Sequence, residues 1–517
     1  MLKSFTIGNF KAFKSQQTVD IKPITLIFGP NSSGKSSIIH SLLFMNHFLE
    51  TGEVDVHETR LGGESVDLGG FNQYANRSDG RSPSDVTFRF RLSSDPVESE
   101  KAPKISHNRE IDIQFNHNDR TGNRQMSTYE LVADGLQILK IGVPWEEKSW
   151  AFYDKWIFKV DSVNFEHPII KTIINDVTRG GSSTSNEVQE LMSSLVFSSD
   201  FLPGGTGGFG QCCEVDGRKS GDYSKLQSDT LNGLLQLISD QNSEICSAFR
   251  KMKYLGPLRS YLPRRWALSP RRHSEVDAEH EAWTALLGNR ETRGAVNTWM
   301  KEHISSPYEI ELRSLVSMDG ILKHLVDGYF GTHLQEEDEE DGNYSAFEGW
   351  TRYCVERGDL ESIPDLIFRE TKTGVEVNHR DIGIGISQML PILIQAYQGV
   401  AHWIAIEQPE VHLHPALQAE LGDLFIETAT QKHGANYIIE THSEHLILRI
   451  LRRIRETTEG RLPDGLPPVT PEDVSVHFVQ PGDNGATIKR LEIDQDGQFL
   501  DAWPGGFFEE GFRERFS

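Results

Sequence analysis

Long apolar runs are missing from this 517-residue chain. No stretch reaches the roughly 18 consecutive apolar residues of a spanning helix, so the sequence offers no membrane segment. The opening MLKSFTIGNFKAFK has no continuous apolar stretch ahead of a small-residue cleavage site, which argues against a secretory leader. Cysteine is scarce. Of the four, Cys212 and Cys213 are adjacent, Cys246 and Cys354 are isolated, and no C-x-x-C occurs. That excludes a disulfide framework and suits reduced thiols in the cytoplasm. Positive charge is in deficit: 52 Lys and Arg face 76 Asp and Glu, a net charge of −24. A protein that coats nucleic acid over its whole surface is thereby excluded, and any such contact must use a local basic patch. What is present suffices for a folded chain. Hydrophobic residues make up 37% and charged residues 25%, enough to bury a core at this length and too ordinary for global disorder. The length predicts about two to four domains, or one domain with large insertions.

The first motif narrows the class. Residues 24–28, ITLIF, form a short apolar run suited to a buried strand. Gly29-Pro30-Asn31-Ser32-Ser33-Gly34-Lys35-Ser36 follows and fits G-x-x-x-x-G-K-[ST] in full. Its glycines let the backbone fold tightly enough to aim N–H groups at phosphate oxygens. Lys35 can reach the β- and γ-phosphates, and the Ser36 hydroxyl can ligate Mg²⁺. From Ser37 onward, apolar residues at 38, 42, 45 and 49 have helical spacing, placing a helix N-terminus beneath the phosphates. The segment from Gly29 to Ser37 is therefore the expected cradle for ATP.

The C-terminal third separates ABC-type ATPases from kinases and GTPases. Residues 403–407, WIAIE, are a second buried-strand candidate ending in a carboxylate. Against the ABC pattern D-E-P-x-x-x-L-D, Glu407 falls on the Mg²⁺-holding acid, Gln408 on the general base and His414 on the D-loop acid. A third strand candidate, Tyr437 to Glu440, leads into Thr441-His442-Ser443, where His442 fits a switch histidine that senses the γ-phosphate. Read alone, His442 is simply the cap of a helix over 443–456; its place after the Walker B strand favours the functional reading. Residues 381–388 read DIGIGISQ, in which Gly383, Gly385, Ser387 and Gln388 open a helix with Pro391 in its first turn. Such a segment, with its N–H groups, can cap a γ-phosphate presented by another subunit.

Together these motifs resemble the RecF/SMC/OLD-type branch of ABC ATPases. IGNFKAF (7–13) and PITLIFGPN (23–31) look like that branch's opening. The likeness is strongest to bacterial AAA-class ATPases carrying an uncharacterised C-terminal domain, through YLGPLR (254–259), GIGISQMLPIL (383–393), IEQPEVHLHP (406–415), THSEHLILRILRRIR (441–455) and WPGGFF (503–508). It is specific over 1–50 and 251–517 and faint over about 90–250. The wider group includes ATPase subunits of phage-defence systems such as Septu and the ATPase part of OLD and Gabija nucleases.

The resemblance implies an α/β fold: an ABC-type P-loop head with an antiparallel β lobe and an inserted short helical arm region. It implies ATP and Mg²⁺ as ligands, Gly34, Lys35 and Ser36 on phosphates, Glu407 on Mg²⁺, Gly385 and Ser387 acting in trans, and His442 on the γ-phosphate. Gln73 lies where a Q-loop glutamine would sit, or in a surface loop. Gln408 departs from the pattern, because an amide orients water but takes no proton at neutral pH. Slow turnover and a long-lived ATP-bound dimer are expected, with Glu410 the alternative base.

Four regions are expected: an N-terminal ATPase lobe over 1–160, a variable insertion over 161–250, a basic segment and helical arm over 251–375, and a C-terminal ATPase lobe over 376–517. Residues 86–92, 111–115 and 151–160 alternate apolar with polar and predict half-exposed antiparallel strands. The Gly- and Ser-rich stretch 178–225 predicts a flexible loop or lid, 231–249 a helix, and the residues around Tyr254 a strand that returns to the core. Helices are expected near 280–302 and 348–357, and the acidic run 336–341 reads as a solvated loop. No heptads are sustained, which excludes a long coiled coil. Asp494 and Asp496 mimic part of a Toprim acid set but suit a surface turn.

Residues 249–273 carry eight Lys and Arg, including Arg259, Arg264, Arg265, Arg271 and Arg272, with Tyr261 and Trp266 interleaved and no acid. This suits either a nucleic-acid backbone or a subunit interface near nucleotide. Arg449, Arg452, Arg453 and Arg455 read as a solvated or partner-docking face. The expected protein is a homodimer or higher homo-oligomer that acts as an ATP-gated switch over a separate effector, a nuclease or toxin, in antiphage defence. The alternative is a RecF-like repair clamp on DNA. The stretch after His442 is too short for a Toprim nuclease, and the amide at 408 disfavours transport.

Overall fold

The computed structural model describes residues 2–76, 85–93, 108–117, 124–142, 157–179, 184–198, 213–214, 225–259, 278–316, 362–378, 381–399, 403–430 and 434–501. Two compact units divide the chain. The first spans Met1–Pro257, Glu275–Ala278 and Gly399–Ser517, and the second Leu258–Ser274 with Glu279–Gln398.

The first unit is organised around a six-stranded sheet, ordered Met252–Leu255, Trp403–Glu407, Asn436–Glu440, Ile24–Phe28, Val474–Gln480 and Thr487–Leu491. Its first five strands run parallel, and Thr487–Leu491 adds antiparallel at one edge. ITLIF and WIAIE are buried at every position, as expected of strands covered on both faces. The strand near Tyr254 does return to this core, beside the Walker B strand.

A nine-stranded antiparallel sheet forms the β lobe: Cys213–Glu214, Val196–Ser198, Ile157–Val163, Leu136–Gly142, Arg124–Ala133, Asn108–His117, Val86–Ser93, Leu2–Gly8 and Gln17–Asp20. Alternation does its work here. Phe88 and Phe90 are fully buried while Arg89 and Arg91 pair with Asp112 and Glu110 on the neighbouring strand. The helix Lys35–Thr51 is buried over most of its length because it serves both sheets. Phe44 packs on Phe88 and Phe115 of the antiparallel lobe, while Leu42 and Ile38 join the same apolar core. Phe10, Phe44 and Tyr74 complete an aromatic cluster with centroids 5.0 to 6.2 Å apart.

The described part of the stretch read as a loop, chiefly 184–198, forms regular structure. Helix Ser185–Ser194 begins on a capping box between Thr184 and Glu187, and the strand Val196–Ser198 joins the sheet edge. The PGGTGGFG segment lies outside the described residues. The expected helix over 231–249 is longer, Lys225–Arg250.

In the second unit, helices Ala278–Gly288 and Arg290–His303 match the pattern near 280–302. The region expected as a helical arm carries strands as well as helices. Strands Tyr308–Val316, Ser362–Glu370 and Glu376–Val377 form an antiparallel sheet, locked by Arg313 on Asp365 and Glu376 and by Arg369 on Glu311. The 348–357 helix and the acidic run lie outside the described residues. The helix Ile384–Gln398 closes this unit, so the boundary falls after Gln398, not at 375. Pro391 sits in the body of that helix, not in its first turn. It therefore leaves the Ser387 carbonyl without its usual intrahelical donor. Among the described residues no helix is long and apolar enough to cross a membrane.

Candidate nucleotide-binding site

The P-loop leaves the central strand at Gly29 and enters its helix at Lys35. Two glycines shape it. A Cβ on Gly29 would stand 2.2 Å from the Val479 carbonyl oxygen, and one on Gly34, at φ 101°, would stand 2.5 Å from the Ala12 Cβ. Lys35 is buried, and its amine donates to the Pro30 carbonyl at 2.9 Å, so the loop closes around its own lysine. Burial lowers the Lys35 pKa, while Glu440 and Glu410 oppose that shift. Ser33 is buried with its hydroxyl unpartnered inside the loop.

Parallel pairing brings two strand ends together below this loop. Glu407 and Glu440 are register partners, each the last residue of its strand and each buried. Glu407 Oε1 accepts from the Tyr254 hydroxyl at 3.2 Å and lies 3.3 Å from His40 Nε2. His40 follows Ser36 by one helical turn, which puts both on one face. Lys11 Nζ is 2.7 Å from His40 Nδ1. A lysine donating there fixes the tautomer, leaving Nε2–H for Glu407. Burial lowers the Lys11 pKa against the attraction of Glu407 and Asp67. Glu440 is held up at about 7, first by burial and then by Glu407, while a hydrogen bond from Ser36 and the charge of Lys35 pull it down. Lys11, His40, Tyr254 and Glu440 were given no role at the site by the motif reading.

The residues after each strand are tied to one another. Gln408 adopts φ 44° and its N–H donates to the Glu440 carbonyl at 2.8 Å. Glu410 spans the switch segment, accepting from Thr441 Oγ1 at 2.8 Å and from His442 N at 2.6 Å. Thr441 N in turn reaches the Ile27 carbonyl on the P-loop strand. The cap of the following helix is Ser443, whose hydroxyl takes the Leu446 N–H, so His442 does not serve that purpose. Burial, followed by repulsion from Lys35, lowers His442 to about 4, which keeps its imidazole neutral at pH 7. His414 is exposed and caps the helix Pro415–Ala429 through Nδ1. Gln73 is exposed on the short helix Phe71–Tyr74.

The signature segment belongs to the second unit. Gly383 precedes the helix at φ 93° with open space where a Cβ would stand, and Gly385 and Ser387 lie in its first turn. Ser387 is buried and its hydroxyl bonds the Gly383 carbonyl at 3.2 Å. Gln388 is corrected from ligand to scaffold. Its amide accepts from Arg259 N at 3.0 Å and donates to Arg259 O at 2.7 Å. Arg259 is itself 3% exposed and bonds the Gln388 carbonyl, so it is withdrawn from any nucleic-acid face. Arg264, Arg265, Arg271 and Arg272 lie outside the described residues. Arg449 and Arg453 are likewise corrected from a docking face, since both pair with Asp423 on the adjacent helix.

The site suits ATP with Mg²⁺. Two buried polar atoms, the Ser33 hydroxyl and Glu440 Oε2, are unpartnered at the loop and at the strand ends. Among the described residues no three His, Cys, Asp or Glu side chains converge on a metal by themselves. A cation at this site would need oxygen donors beyond these carboxylates, such as the Ser36 hydroxyl and phosphate oxygens.

The model of one family, the AAA ATPase domain, matches residues 1–190 and 299–447, well over half of the chain. The chain belongs to the AAA ATPase domain family. It is thus an ATPase of the AAA type, as the motifs implied. A second model, "Protein of unknown function (DUF3696)", matches residues 469–514, where an uncharacterised C-terminal domain was expected. No curated protein matches the chain. Among solved structures, the chain is similar to the SMC head domain from Thermotoga maritima, at 9% identity and a TM-score of 0.36, covering 95% of this chain and 99% of that one. It is also similar to the SmcHead bound to the C-winged helix domain of ScpA, at 10% identity and a TM-score of 0.40, covering 95% and 98%. A third is the Smc head domain with an extended coiled coil bound to the C-terminal domain of ScpA derived from Pyrococcus furiosus, at 9% and 0.39, covering 95% and 96%.

Proposed function

We propose that this AAA-family ATPase is a slowly hydrolysing, nucleotide-gated homodimer that controls a separate effector, a nuclease or toxin, in antiphage defence. The observation that carries the switch is the strand-end arrangement: an amide, Gln408, stands where a base is expected, beside a buried acid and a neutral histidine. Lys35 and the loop N–H groups, with Gly29, Pro30, Asn31, Ser33 and Gly34, would bind the phosphates, and Ser36 with Glu407 would hold Mg²⁺. When bound, Mg²⁺ supplies charge neutralisation on the phosphates. His442, neutral at pH 7, can donate one hydrogen bond to a γ-phosphate oxygen without the cost of a second buried cation beside Lys35. Gln408 can orient a water but not deprotonate it, and lack of a general base typically costs about 10²–10⁴-fold in rate.

In this reading, Gly385 and Ser387 of one copy cap the phosphate held by the other, and ATP joins two copies until it is cleaved. The test is steady-state ATP turnover of the native chain and of Gln408→Glu. A slow native rate that rises in the variant supports the switch. A native rate above that of the variant would sink it. A stoichiometric nuclease or toxin recovered with the tagged protein supports the defence role.

A second reading, a repair clamp on DNA, draws on the basic segment 249–273 without its buried Arg259. If it holds, charge reversal at Arg264 and Arg265 lowers DNA affinity and flattens the salt slope. An unchanged slope removes this reading.

A further inference from the structure

The strand that leads to the switch histidine ends on a glutamate that none of the motifs uses. Glu440 sits between two functional strands, in register with Glu407 on one side and Ile27 on the other. It is 2% exposed. One interaction is a hydrogen bond with the Ser36 side chain. The other oxygen, Oε2, is buried without a partner. Glu407 and Glu410 bear on it as like charges, and Lys35 as the opposing one. Lys35 does not neutralise the cluster alone, since it brings one positive charge against the carboxyl groups of Glu407, Glu410 and Glu440.

Two carboxylates buried side by side, with one oxygen unsatisfied, are costly unless a proton or a cation completes the group. A buried polar atom left bare in this way calls for a partner, and an ion is one that also offsets the charge. Ser36 links Glu440 to the P-loop, Glu407 is its register partner on the next strand, and hard divalent cations favour such oxygen donors. We propose that Glu440 is a second carboxylate of the divalent-cation site, sharing the ion with Ser36 and Glu407 directly or through water. The inference rests on the ATP–Mg²⁺ reading and deepens it. One consequence concerns nucleotide without metal. Phosphates entering a site that already holds two acids meet repulsion that only a cation removes, so binding of nucleotide is unusually dependent on the metal. A glutamate that merely packs the strand end predicts no such dependence.

The test uses the full chain, a non-hydrolysable ATP analogue and Mn²⁺, followed by electron paramagnetic resonance, with analogue affinity measured separately in EDTA. For Glu440→Gln, the expected results are a loss of Mn²⁺ affinity of about 10–100-fold and a tighter grip on the metal-free analogue. Unchanged Mn²⁺ affinity, or equal weakening with and without metal, overturns the proposal. Should Glu440→Gln fail to fold, Glu440→Asp keeps the charge but withdraws it. It is expected to lose Mn²⁺ affinity with metal-free binding unchanged, and native values in both overturn the proposal. A native chain that binds neither analogue nor Mn²⁺ overturns the ATP–Mg²⁺ reading itself, and the inference with it.

Discussion

Glu410 shows how contacts in space bear on a role read from spacing alone. Two residues past Gln408, it stands in sequence as the natural substitute base. In space both its oxygens accept from the switch segment, one from Thr441 and one from the His442 backbone. An acid used in this way positions His442, and its charge is secondary to its acceptors. Glu410→Gln keeps a carbonyl for the His442 N–H and leaves the Thr441 hydroxyl free to turn. Its steady-state ATP turnover is expected to stay within about tenfold of native, whereas loss of a true base would cost about 10²–10⁴-fold. Glu410→Ala strips both donors of their partner and is expected to lower stability by about 1–3 kcal/mol, measurable by denaturant titration.

The same scale governs the pH response of the core. His477 is 1% exposed on the strand Val474–Gln480, with Nε2 3.0 Å from the Asp20 carbonyl oxygen. Burial lowers its pKa from 6.5 to about 4, against the pull of Asp20. The unfolded chain thus binds a proton that the folded chain refuses. Stability from this group is intact above pH 6.5 and drains away as pH falls towards 4, by about 3 kcal/mol. Denaturation of native protein and of His477→Gln across that range should show a shallower acid loss in the variant, while parallel curves would refute the assignment.

At the scale of elements, the sequence was most legible where a local rule and the tertiary need coincide. ITLIF and WIAIE are apolar throughout and are buried throughout. Glu440 was legible in principle, because NYIIE and WIAIE are both short strands ending in glutamate. Only their parallel register makes the two acids neighbours, and a single strand carries no trace of its partner. Lys11, His40 and Tyr254 were illegible for the same reason: they come from separate elements and meet at Glu407. The strand Tyr308–Val316 carried a period of two in Tyr308, Ile310 and Leu312, yet a helical arm was expected there. It pairs with a distant strand through charged cross-strand partners and buries Ile310, Ile367 and Phe368, none of which local propensity weighs.

The arginines of the helix Glu444–Thr458 illustrate the converse, since a charged stripe suggests solvent until its partner helix is known. Arg453 is 7% exposed and grips Asp423 through two nitrogens, each at 2.8 Å, while Arg449 joins from one turn earlier. Removing Asp423 takes the buried carboxylate from both arginines and leaves Arg453 to Glu456 and Arg449 to Glu420. Asp423→Ala is expected to cost about 3–5 kcal/mol by urea denaturation, and a loss below about 1 kcal/mol would reclassify the pair as a weak surface bridge.

At the scale of the whole molecule, the phosphate-binding and signature segments are carried by separate compact units. In the proposed dimer, one unit would bind nucleotide and the other would answer the nucleotide of the second copy, so that two ATP molecules would join the copies. The exposed face of the signature helix fits such a role, since Ile384 is 47% exposed in its first turn beside open space at Gly383. An apolar side chain displayed at a helix start, next to glycines, suits contact with another surface. Ser387→Arg and Ile384→Glu are both expected to leave nucleotide binding to the single copy near native and to abolish the ATP-induced gain in mass by light scattering. Ser387 is buried, so its variant also tests packing. Ile384→Glu alters only the exposed face and separates the two effects. Normal ATP-induced pairing in Ile384→Glu, with native melting behaviour, would place the contact between copies elsewhere on the molecule.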